Sequence, residues 1–225
     1  SENCAFCAQS ASAKAKINAY PLLPPDEIAS AAEKCAAQGA GRVGIVTSGR
    51  ATDAARELDS ICEAVRMIRK SSKILPCASL GVLSEDSLAA LRKAGLEHYH
   101  HNLEAAESHF PSVCTTRGYA AQTGAVLAAK RAGLSVCSGG LFGIGESRAQ
   151  RVELLSTIRG LDVDSVPVNF FIPIKGTRLE NEPPLAPIEC LKIVAVARLM
   201  LPDKVVRVCG GRERNLRDMQ SWIFA

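Results

Sequence analysis

Two cysteines near the start of the chain have a spacing that lets both thiolates bind one metal centre. Cys4 and Cys7 form a Cys-x-x-Cys pair, and the polar residues on either side predict that the pair lies in a loop. Alone, such a pair fits half of a zinc site, a redox dithiol or part of an iron–sulfur ligand set. A structural zinc site needs a second pair at ligand spacing, whereas the remaining cysteines occur singly, at positions 35, 62, 77, 114, 137, 190 and 209.

Polar residues recur at every second position of three later segments that have the pattern of strands. Residues two apart in a strand share a face, which groups His100 with Asn102 and Glu104, Asn169 with Phe171, and Arg207 with Cys209. The interior of a barrel of parallel strands is costly for Asn, Glu and Arg unless they are paired or ligand-bound. Together these residues indicate a ligand site, although each alone also fits a satisfied core hydrogen bond or a solvated strand end.

The elements that must position these residues alternate regularly along the chain. Six short apolar, β-branched segments predict strands at Arg42–Thr47, Lys73–Leu80, Glu97–Leu103, Leu134–Leu141, Asp164–Phe171 and Lys204–Cys209. Amphipathic segments predict helices at Pro25–Ala37, Ala51–Ile68, Glu85–Lys93, Tyr119–Arg131, Arg148–Ile158 and Pro187–Met200. The alternation predicts a parallel sheet, and no GxGxxG motif follows a strand to favour an open doubly wound sheet. We therefore expect an α/β fold, a partial (β/α) TIM-type barrel.

Composition limits the organisation and the partners of the chain. With 225 residues and 47% hydrophobic residues, one core can form, and no linker divides the chain, so we expect one domain over residues 1–225. The net charge of +4 is spread without a run of like charges, which argues against nucleic acid and membrane partners. Nine cysteines without a targeting segment favour metal ligation in the cytoplasm over a disulfide framework. The chain opens inside the cysteine motif, and we expect it to be incomplete at both termini.

The wider string Ser1–Ser10 resembles the CxxxCxxCAQS cluster loop of the biotin synthase family, which belongs to the radical S-adenosylmethionine (SAM) class. The resemblance continues through the chain in ordered motifs, at Tyr99–Glu104, Cys114–Arg117, Val136–Gly140, Gly143–Glu146, Val166–Asn169, Lys175–Thr177 and Arg207–Glu213. It implies a sulfurtransferase that inserts sulfur into dethiobiotin by way of 5′-deoxyadenosyl radicals from reductive cleavage of SAM.

In that family three cysteines of the loop hold a four-iron four-sulfur cluster whose open iron binds SAM. Cys4 and Cys7 match two of these ligands, and the first would lie one residue before Ser1. The resemblance assigns Glu104 to the ribose hydroxyls of SAM and Arg117 to its carboxylate. A second arginine that some members carry five positions later is Gln122 here.

Two asparagines match residues that bind substrate in the family. The resemblance assigns Asn102 and Asn169 to the ureido ring of dethiobiotin. A primary amide suits this role because it offers both a donor and an acceptor to a cyclic urea.

The family also holds a second, sacrificial cluster inside the barrel as its sulfur source, usually a two-iron two-sulfur cluster with three cysteines and an arginine. Cys77, Cys137 and Arg207 match three of these ligands, but Gly44 occupies the position of the remaining cysteine. Cys209 stands two residues after Arg207, so we expect it to replace the lost ligand in this cluster or a variant of it. We assign the other single cysteines, 35, 62, 114 and 190, to packing as small apolar side chains.

The resemblance further implies an electron donor such as flavodoxin or ferredoxin, and it allows a homodimer. Two other functions remain open from the sequence. One is another radical SAM enzyme of the same subgroup, of the hydrogenase maturase or methylornithine synthase type, against which Cys77, Cys137 and Asn169 argue together. The other is a non-catalytic zinc-binding barrel built around Cys4 and Cys7.

Overall fold

The computed structural model describes residues 2–49, 51 and 55–224, and these residues form two compact units. Unit 1 contains Ser1–Ile17, Asn102–Thr123 and Cys137–Ala225, and unit 2 contains Asn18–His101 and Gly124–Val136. In the described part of the chain, no helix has the length and apolar character needed to cross a membrane.

Strands and helices alternate in the predicted order. The strands are β1 (Arg42–Val46), β2 (Leu75–Ser79), β3 (His98–His100), β4 (Ser135–Cys137), β5 (Gly140–Phe142), β6 (Ser165–Phe170) and β7 (Val205–Val208). The α-helices are α1 (Pro25–Ala37), α2 (Ala55–Ser71), α3 (Glu85–Ala94), α4 (Phe110–Val113), α5 (Tyr119–Arg131), α6 (Arg148–Gly160), α7 (Pro187–Met200) and α8 (Arg212–Leu216), and a 3₁₀ helix follows at Arg217–Phe224. Each of the six predicted strands and six predicted helices is present.

Most element ends shift by one to three residues, and β3 ends at His100, so Asn102 and Glu104 follow the strand on which they were predicted to lie. Three further details differ from the sequence prediction. The predicted strand Leu134–Leu141 consists of two segments, β4 and β5, separated by Ser138 and Gly139. Ala51 forms an antiparallel bridge with Gly81 instead of starting a helix, and residues 52–54 of the predicted helix lie outside the described part. The short helices α4 and α8 and the 3₁₀ helix were not predicted, because segments this short have no measurable period.

Local signals explain why two of the helices begin and end where they do. The Ser84 hydroxyl accepts a hydrogen bond from the Ser87 N–H at the start of α3, and Gly95 adopts a left-handed φ of 106° after its last residue. Ser147 and Gln150 form a reciprocal capping box at the start of α6. Because these caps fix the first residues of α3 and α6, they also fix where the loops after β2 and β5 end.

In unit 2, β1, β2 and β3 pair in parallel, and burial alternates along the strands. Pro76 and Ala78 of β2 are buried, as is Tyr99 of β3, whereas Cys77 and His98 are half-buried. The register places Cys77 opposite His98. Because paired residues point to the same side of a sheet, these two side chains share the face that the helices of the unit do not cover.

In unit 1, β6 pairs in parallel with β4, β5 and β7. The break between β4 and β5 has a steric cause, because a Cβ added at Gly139 would overlap the Pro167 carbonyl oxygen of β6. Close backbone approach therefore explains the Gly139-Gly140 pair, as is common for glycines in or beside strands.

We predict that Gly139→Ala lowers the free energy of unfolding by about 1–3 kcal/mol or more, since the added methyl group forces two strands apart. Gly124→Ala is the matched control, because Gly124 lies inside α5 with nothing near its Cβ position. The control should stabilise the protein by about 0.5–1 kcal/mol through reduced backbone entropy of the unfolded chain. Urea denaturation measures both values, and equal effects of the two variants would contradict this account.

Candidate functional site

The two cysteines of the motif lie in a loop of consecutive turns at Glu2–Ser10, which we call the cysteine loop. The Cys7 N–H donates to the Cys4 carbonyl at 3.3 Å, and the Ser10 N–H donates to the Cys7 carbonyl at 3.1 Å. Both cysteine side chains are half-buried. The turns hold the two thiols on one short arc of backbone, as ligands of a single centre require.

The segment Val113–Arg117, which we call the docking segment, holds the cysteine loop through hydrogen bonds. The Ala5 N–H donates to the Val113 carbonyl at 2.8 Å. The Asn3 side-chain amide donates to Thr115 Oγ1 at 2.7 Å, and Asn3 Oδ1 accepts from the Thr115 N–H at 2.9 Å. The Asn3 N–H donates to Thr116 Oγ1 at 3.1 Å. Backbone and side-chain bonds together fix the position of this loop on unit 1.

Two further contacts reinforce this attachment. The Thr116 hydroxyl donates to the Glu2 carboxylate. Arg178 Nη2 donates to the Asn3 carbonyl at 3.3 Å and to the Val113 carbonyl at 3.0 Å, so one guanidinium connects the loop to the docking segment. The residues before Cys4 therefore act as the anchor of the site.

An apolar cluster lies beneath the cysteine loop. Its buried members are Ala105, Phe110, Val113, Cys114, Ile144 and Phe171, and Cys4, Phe6, Tyr119, Leu141 and Leu179 pack against it. Cys4 thus presents its sulfur at the border of a dry region, where charges interact more strongly than in water.

Burial raises the pKa of the Cys4 thiol to about 12, an effect that the Arg117 guanidinium partly offsets and that Cys114 and Glu104 increase. The thiol is consequently protonated at neutral pH in the metal-free protein. Metal binding must displace this proton, because only the thiolate is a ligand.

Three of the predicted site residues come together around the Cys4 sulfur. Arg117 Nη2 lies 3.9 Å from Cys4 Sγ. Within the described residues, the buried Nε of Arg117 has no hydrogen-bond partner. Glu104 has a left-handed φ of 69° and is near enough to raise the pKa of Cys4. A non-glycine residue held in this conformation is a feature of ligand sites.

The side chains of this site suit the cofactors that the cysteine motif implies. Cys4 and Cys7 offer two thiols for an iron–sulfur cluster, the partnerless Nε–H of Arg117 can donate to a carboxylate, and Glu104 can accept from hydroxyl groups. Outside the masked positions, no three Cys, His, Asp or Glu side chains are already arranged to hold a metal ion.

Asn102 and Asn169, the two residues predicted to bind substrate, form hydrogen bonds with backbone groups of unit 1. Asn102 Oδ1 accepts from the Gly139 N–H at 3.1 Å. Asn169 Nδ2 donates to the Gly140 carbonyl at 3.2 Å, and its Oδ1 accepts from the Gly210 N–H at 2.9 Å. Both amides therefore join neighbouring strands, and a binding role would use their remaining donor and acceptor capacity.

Three of the predicted ligands of the second cluster also lie near one another in unit 1. Arg207 Nη2 lies 3.2 Å from Cys137 Sγ and 3.3 Å from Ser165 Oγ. Arg207 and Cys209 are exposed while Val208 between them is half-buried, so the two share a face as predicted. Partial desolvation raises the pKa of the Cys209 thiol, Arg207 opposes this rise, and Cys137 adds to it.

Two further features lie near Cys137, Arg207 and Cys209. A cavity of about 320 Å³ borders Cys209, lined also by Ile172, Gly211, Arg212, Glu213 and Arg214. The Ser138 hydroxyl oxygen is buried without a hydrogen-bond partner among the described residues. The hydroxyl can therefore donate to a bound group.

Cys77, the remaining predicted ligand, lies in unit 2 on β2. The register places it between Gly44 of β1 and His98 of β3. Gly44 has no side chain that could donate to a metal, as the sequence indicated. Sequence analysis did not single out His98, and only the strand register shows that its imidazole neighbours Cys77.

Sequence analysis also missed the position of Cys114. The assignment to packing is confirmed in one respect, since Cys114 is only 2% exposed. Its thiol, however, lies close enough to Cys4 to raise the pKa of the Cys4 thiol. The only sequence signal was the place of Cys114 at the head of the Cys114–Arg117 motif.

Comparisons with known proteins agree with the fold and the cysteine loop. A model of the radical SAM superfamily matches residues 1–158, and a model of the biotin and thiamin synthesis associated domain matches residues 167–225. The structure of methylornithine synthase superimposes with a TM-score of 0.82 at 23% identity, over 98% of this chain and 66% of that chain. The FeFe-hydrogenase maturase from Carboxydothermus hydrogenoformans gives a TM-score of 0.83 at 20% identity, over 99% and 54% of the two chains. The chain is a radical SAM enzyme with the (β/α) TIM-type barrel fold of that class.

Curated relatives narrow this class. The biotin synthase of Geobacter metallireducens is 52% identical over 99% of this chain and 68% of its own length, and that of Geobacter sulfurreducens is 54% identical over the same shares. The chain belongs to the biotin synthase family, whose enzymes form biotin by inserting sulfur into dethiobiotin. Membership of this family decides against the two alternatives that the sequence left open, another radical SAM enzyme of the same subgroup and a non-catalytic zinc-binding barrel. The four-iron cluster and SAM are the cofactors of this class.

We predict that Cys4 in the metal-free protein alkylates on the order of a thousandfold more slowly at pH 8 than in the urea-unfolded chain. Its pKa of about 12 leaves far less thiolate than an unperturbed value near 8.5. Mass spectrometry after iodoacetamide labelling measures the rate, which should keep rising with pH above 9. Arg117→Ala removes the cation that lowers this pKa and should slow the reaction further. A rate that levels off near pH 8.5 would show that burial does not control this thiol.

Proposed function

We propose that Cys4 and Cys7 bind the four-iron cluster and that Arg117 and Glu104 bind SAM beside it. The observation that carries this assignment is the buried, partnerless Nε of Arg117 next to the Cys4 sulfur. When bound, the cluster and SAM supply a carbon radical able to abstract hydrogen from dethiobiotin, which no side chain can provide.

The side chains contribute binding, orientation and exclusion of water. The Arg117 guanidinium suits the SAM carboxylate because two of its N–H groups can donate in parallel. The Glu104 carboxylate suits the two ribose hydroxyls, each of which donates to one oxygen. The apolar cluster beneath Cys4 keeps water from the sulfur side of the site.

Asn102 and Asn169 are proposed to hold the ureido ring of dethiobiotin. Each has part of its amide occupied by backbone groups, which fixes the orientation of the side chain. The free part of a fixed amide loses little entropy when it binds a ligand, so it can serve as a preorganised contact.

Cys137, Arg207 and Cys209 are proposed as ligands of an auxiliary iron–sulfur cluster that donates the inserted sulfur. Support comes from the 3.2 Å contact between Arg207 and Cys137 and from the electrostatic influence of Cys137 on Cys209. Cys77 as a further ligand stays a prediction from the resemblance. The absence of a donor at Gly44 is the reason for assigning a ligand role to Cys209.

We extend the proposal to the wider setting of the enzyme. Flavodoxin or ferredoxin is the proposed electron donor, a homodimer the proposed assembly, and the cytoplasm the proposed location. All nine cysteines are free thiols, which fits a reducing compartment. A single domain over residues 1–225 likewise stays a prediction.

In the full-length protein, Asn169→Ala should weaken dethiobiotin binding by about 1–3 kcal/mol and leave SAM binding nearly unchanged. Glu104→Ala should do the reverse, because it removes the acceptor of the ribose hydroxyls. Calorimetric titration of each ligand into the reconstituted enzyme measures both affinities. Equal losses for both ligands in either variant would indicate a structural role.

Cys209→Ser in the full-length protein should remove auxiliary iron and sulfide and abolish biotin formation, while reductive SAM cleavage continues. Serine is nearly isosteric, so a packing role alone predicts a mild loss of stability with both clusters intact. Cys190→Ser is the matched control, since Cys190 is fully buried in α7. Unchanged iron and sulfide content with continued biotin formation in Cys209→Ser would exclude the ligand role.

A further inference from the structure

The loop after β6 contains the Lys175–Thr177 motif, which the proposed chemistry does not use. The Gly176 N–H donates to Glu180 Oε2 at 2.7 Å, and the Thr177 hydroxyl donates to the Ile174 carbonyl at 2.7 Å. Thr177 is buried. These bonds hold residues 174–180, which we call the clamp segment, in a fixed series of turns.

The clamp segment contacts the chain that leaves the cysteine loop. The Lys14 N–H donates to the Gly176 carbonyl at 2.7 Å. Gly176 has a left-handed φ of 87°, and a Cβ atom added there would lie 2.7 Å from the Ala15 nitrogen. Because only glycine allows the two backbones to approach this closely, the glycine of the motif serves a contact beside the cysteine loop.

Arg178 holds the other end of the cysteine loop. Its Nη2 donates to the Asn3 carbonyl at 3.3 Å and to the Val113 carbonyl at 3.0 Å. Asn3 directly precedes Cys4, and the Val113 carbonyl also accepts from the N–H of Ala5, which directly follows Cys4. One nitrogen atom of Arg178 therefore stabilises the backbone on both sides of Cys4.

Two properties suit Arg178 to this task. The neighbouring Leu179 packs against the apolar cluster beneath the cysteine loop, so the clamp segment is fixed where Arg178 leaves it. A guanidinium is always charged, and its hydrogen bonds are stronger than those between neutral groups. Loss of Arg178 therefore removes a strong link between the cysteine loop and the docking segment.

We propose that Arg178 is a positioning residue of the four-iron centre, which holds the cysteine loop closed against the docking segment and thereby retains the cluster. The proposal rests on the proposed binding of that cluster by Cys4 and Cys7. Local opening of a loop exposes what it holds to solvent, and SAM beside Cys4 depends on the same geometry. A loosened loop should therefore lose iron faster and bind SAM more weakly, while the rest of the fold stays intact.

The first test is the anaerobic release of iron from the reconstituted full-length enzyme to a chelator, with Mössbauer spectra to identify the cluster that loses it. Arg178→Met keeps the length of the side chain without its donors. It should release iron from the four-iron cluster on the order of tenfold faster, since one hydrogen bond from a charged donor changes an equilibrium by about this factor.

Two variants control for the chemistry and the place of the change. Arg178→Lys should restore most of the wild-type rate, because an ammonium group carries three N–H donors for the two carbonyls. Arg148→Ala removes an arginine that binds Glu189 of α7, so it should leave the release rate unchanged.

Further readouts separate positioning from general stability. Arg178→Met should raise the KM for SAM more than it lowers kcat, and it should speed hydrogen–deuterium exchange in peptides covering residues 2–13. Its urea unfolding midpoint and its auxiliary iron should stay close to wild type. A wild-type release rate in Arg178→Met, or equal acceleration for both clusters, would overturn the proposal.

A second site on the clamp segment gives an independent check. Gly176→Ala drives a methyl group into the backbone at Ala15 and leaves Arg178 in place, so it should show the same selective loss of iron. If Arg178→Met holds no four-iron cluster, a cluster retained in Arg178→Lys supports the positioning role, and loss from both variants contradicts it. Retention of the four-iron cluster by Cys4→Ala would instead refute the ligand assignment on which the proposal rests.

Discussion

The attachment of the cysteine loop to the docking segment is the interaction on which the site depends. Asn3 forms reciprocal hydrogen bonds with Thr115, and Ala5 bonds to Val113, so the backbone on both sides of Cys4 is fixed. The docking segment also carries Arg117 and Cys114. One short stretch of chain thereby positions the cysteine loop, the cation beside Cys4 and a second thiol in the apolar cluster against which Cys4 packs.

Burial of Cys4 at this attachment changes the acidity of its thiol. A half-buried Cys4 above an apolar cluster holds its proton tightly, which raises its pKa to about 12. The same low polarity strengthens every interaction with the sulfur once a metal has removed the proton. Arg117, Glu104 and Cys114 all influence the charge of this sulfur, so the same three residues would act on a cluster bound there.

Much of the fold could be predicted from the sequence because its signals are local. The bounds of α1, α5 and α7 match the prediction at both ends, and Pro25 and Pro187 mark two of the starts. Strand alternation correctly placed Arg207 and Cys209 on one face. The break at Ser138 and Gly139 was not predicted, because it results from the approach of Pro167, a contact between distant parts of the chain.

The sequence predicted site residues only where the residue type and its motif indicate the chemistry. Cys4, Arg117 and Glu104 were selected by motif, and the structure brings them together. Cys114 was assigned to packing together with the other single cysteines, and its position near Cys4 requires two segments about a hundred residues apart in sequence to meet. The left-handed φ of Glu104 also has no sequence signal, since only glycine and asparagine favour that region.

The central claim is that the full-length protein holds two separate iron–sulfur centres, one at the cysteine loop and one at the group formed by Cys137, Arg207 and Cys209. Mössbauer spectroscopy of the anaerobically reconstituted, ⁵⁷Fe-enriched full-length protein tests it most directly. The account predicts a four-iron cluster whose spectrum changes on addition of SAM, together with a second iron environment that does not respond to SAM. A spectrum explained completely by a single four-iron cluster would contradict it.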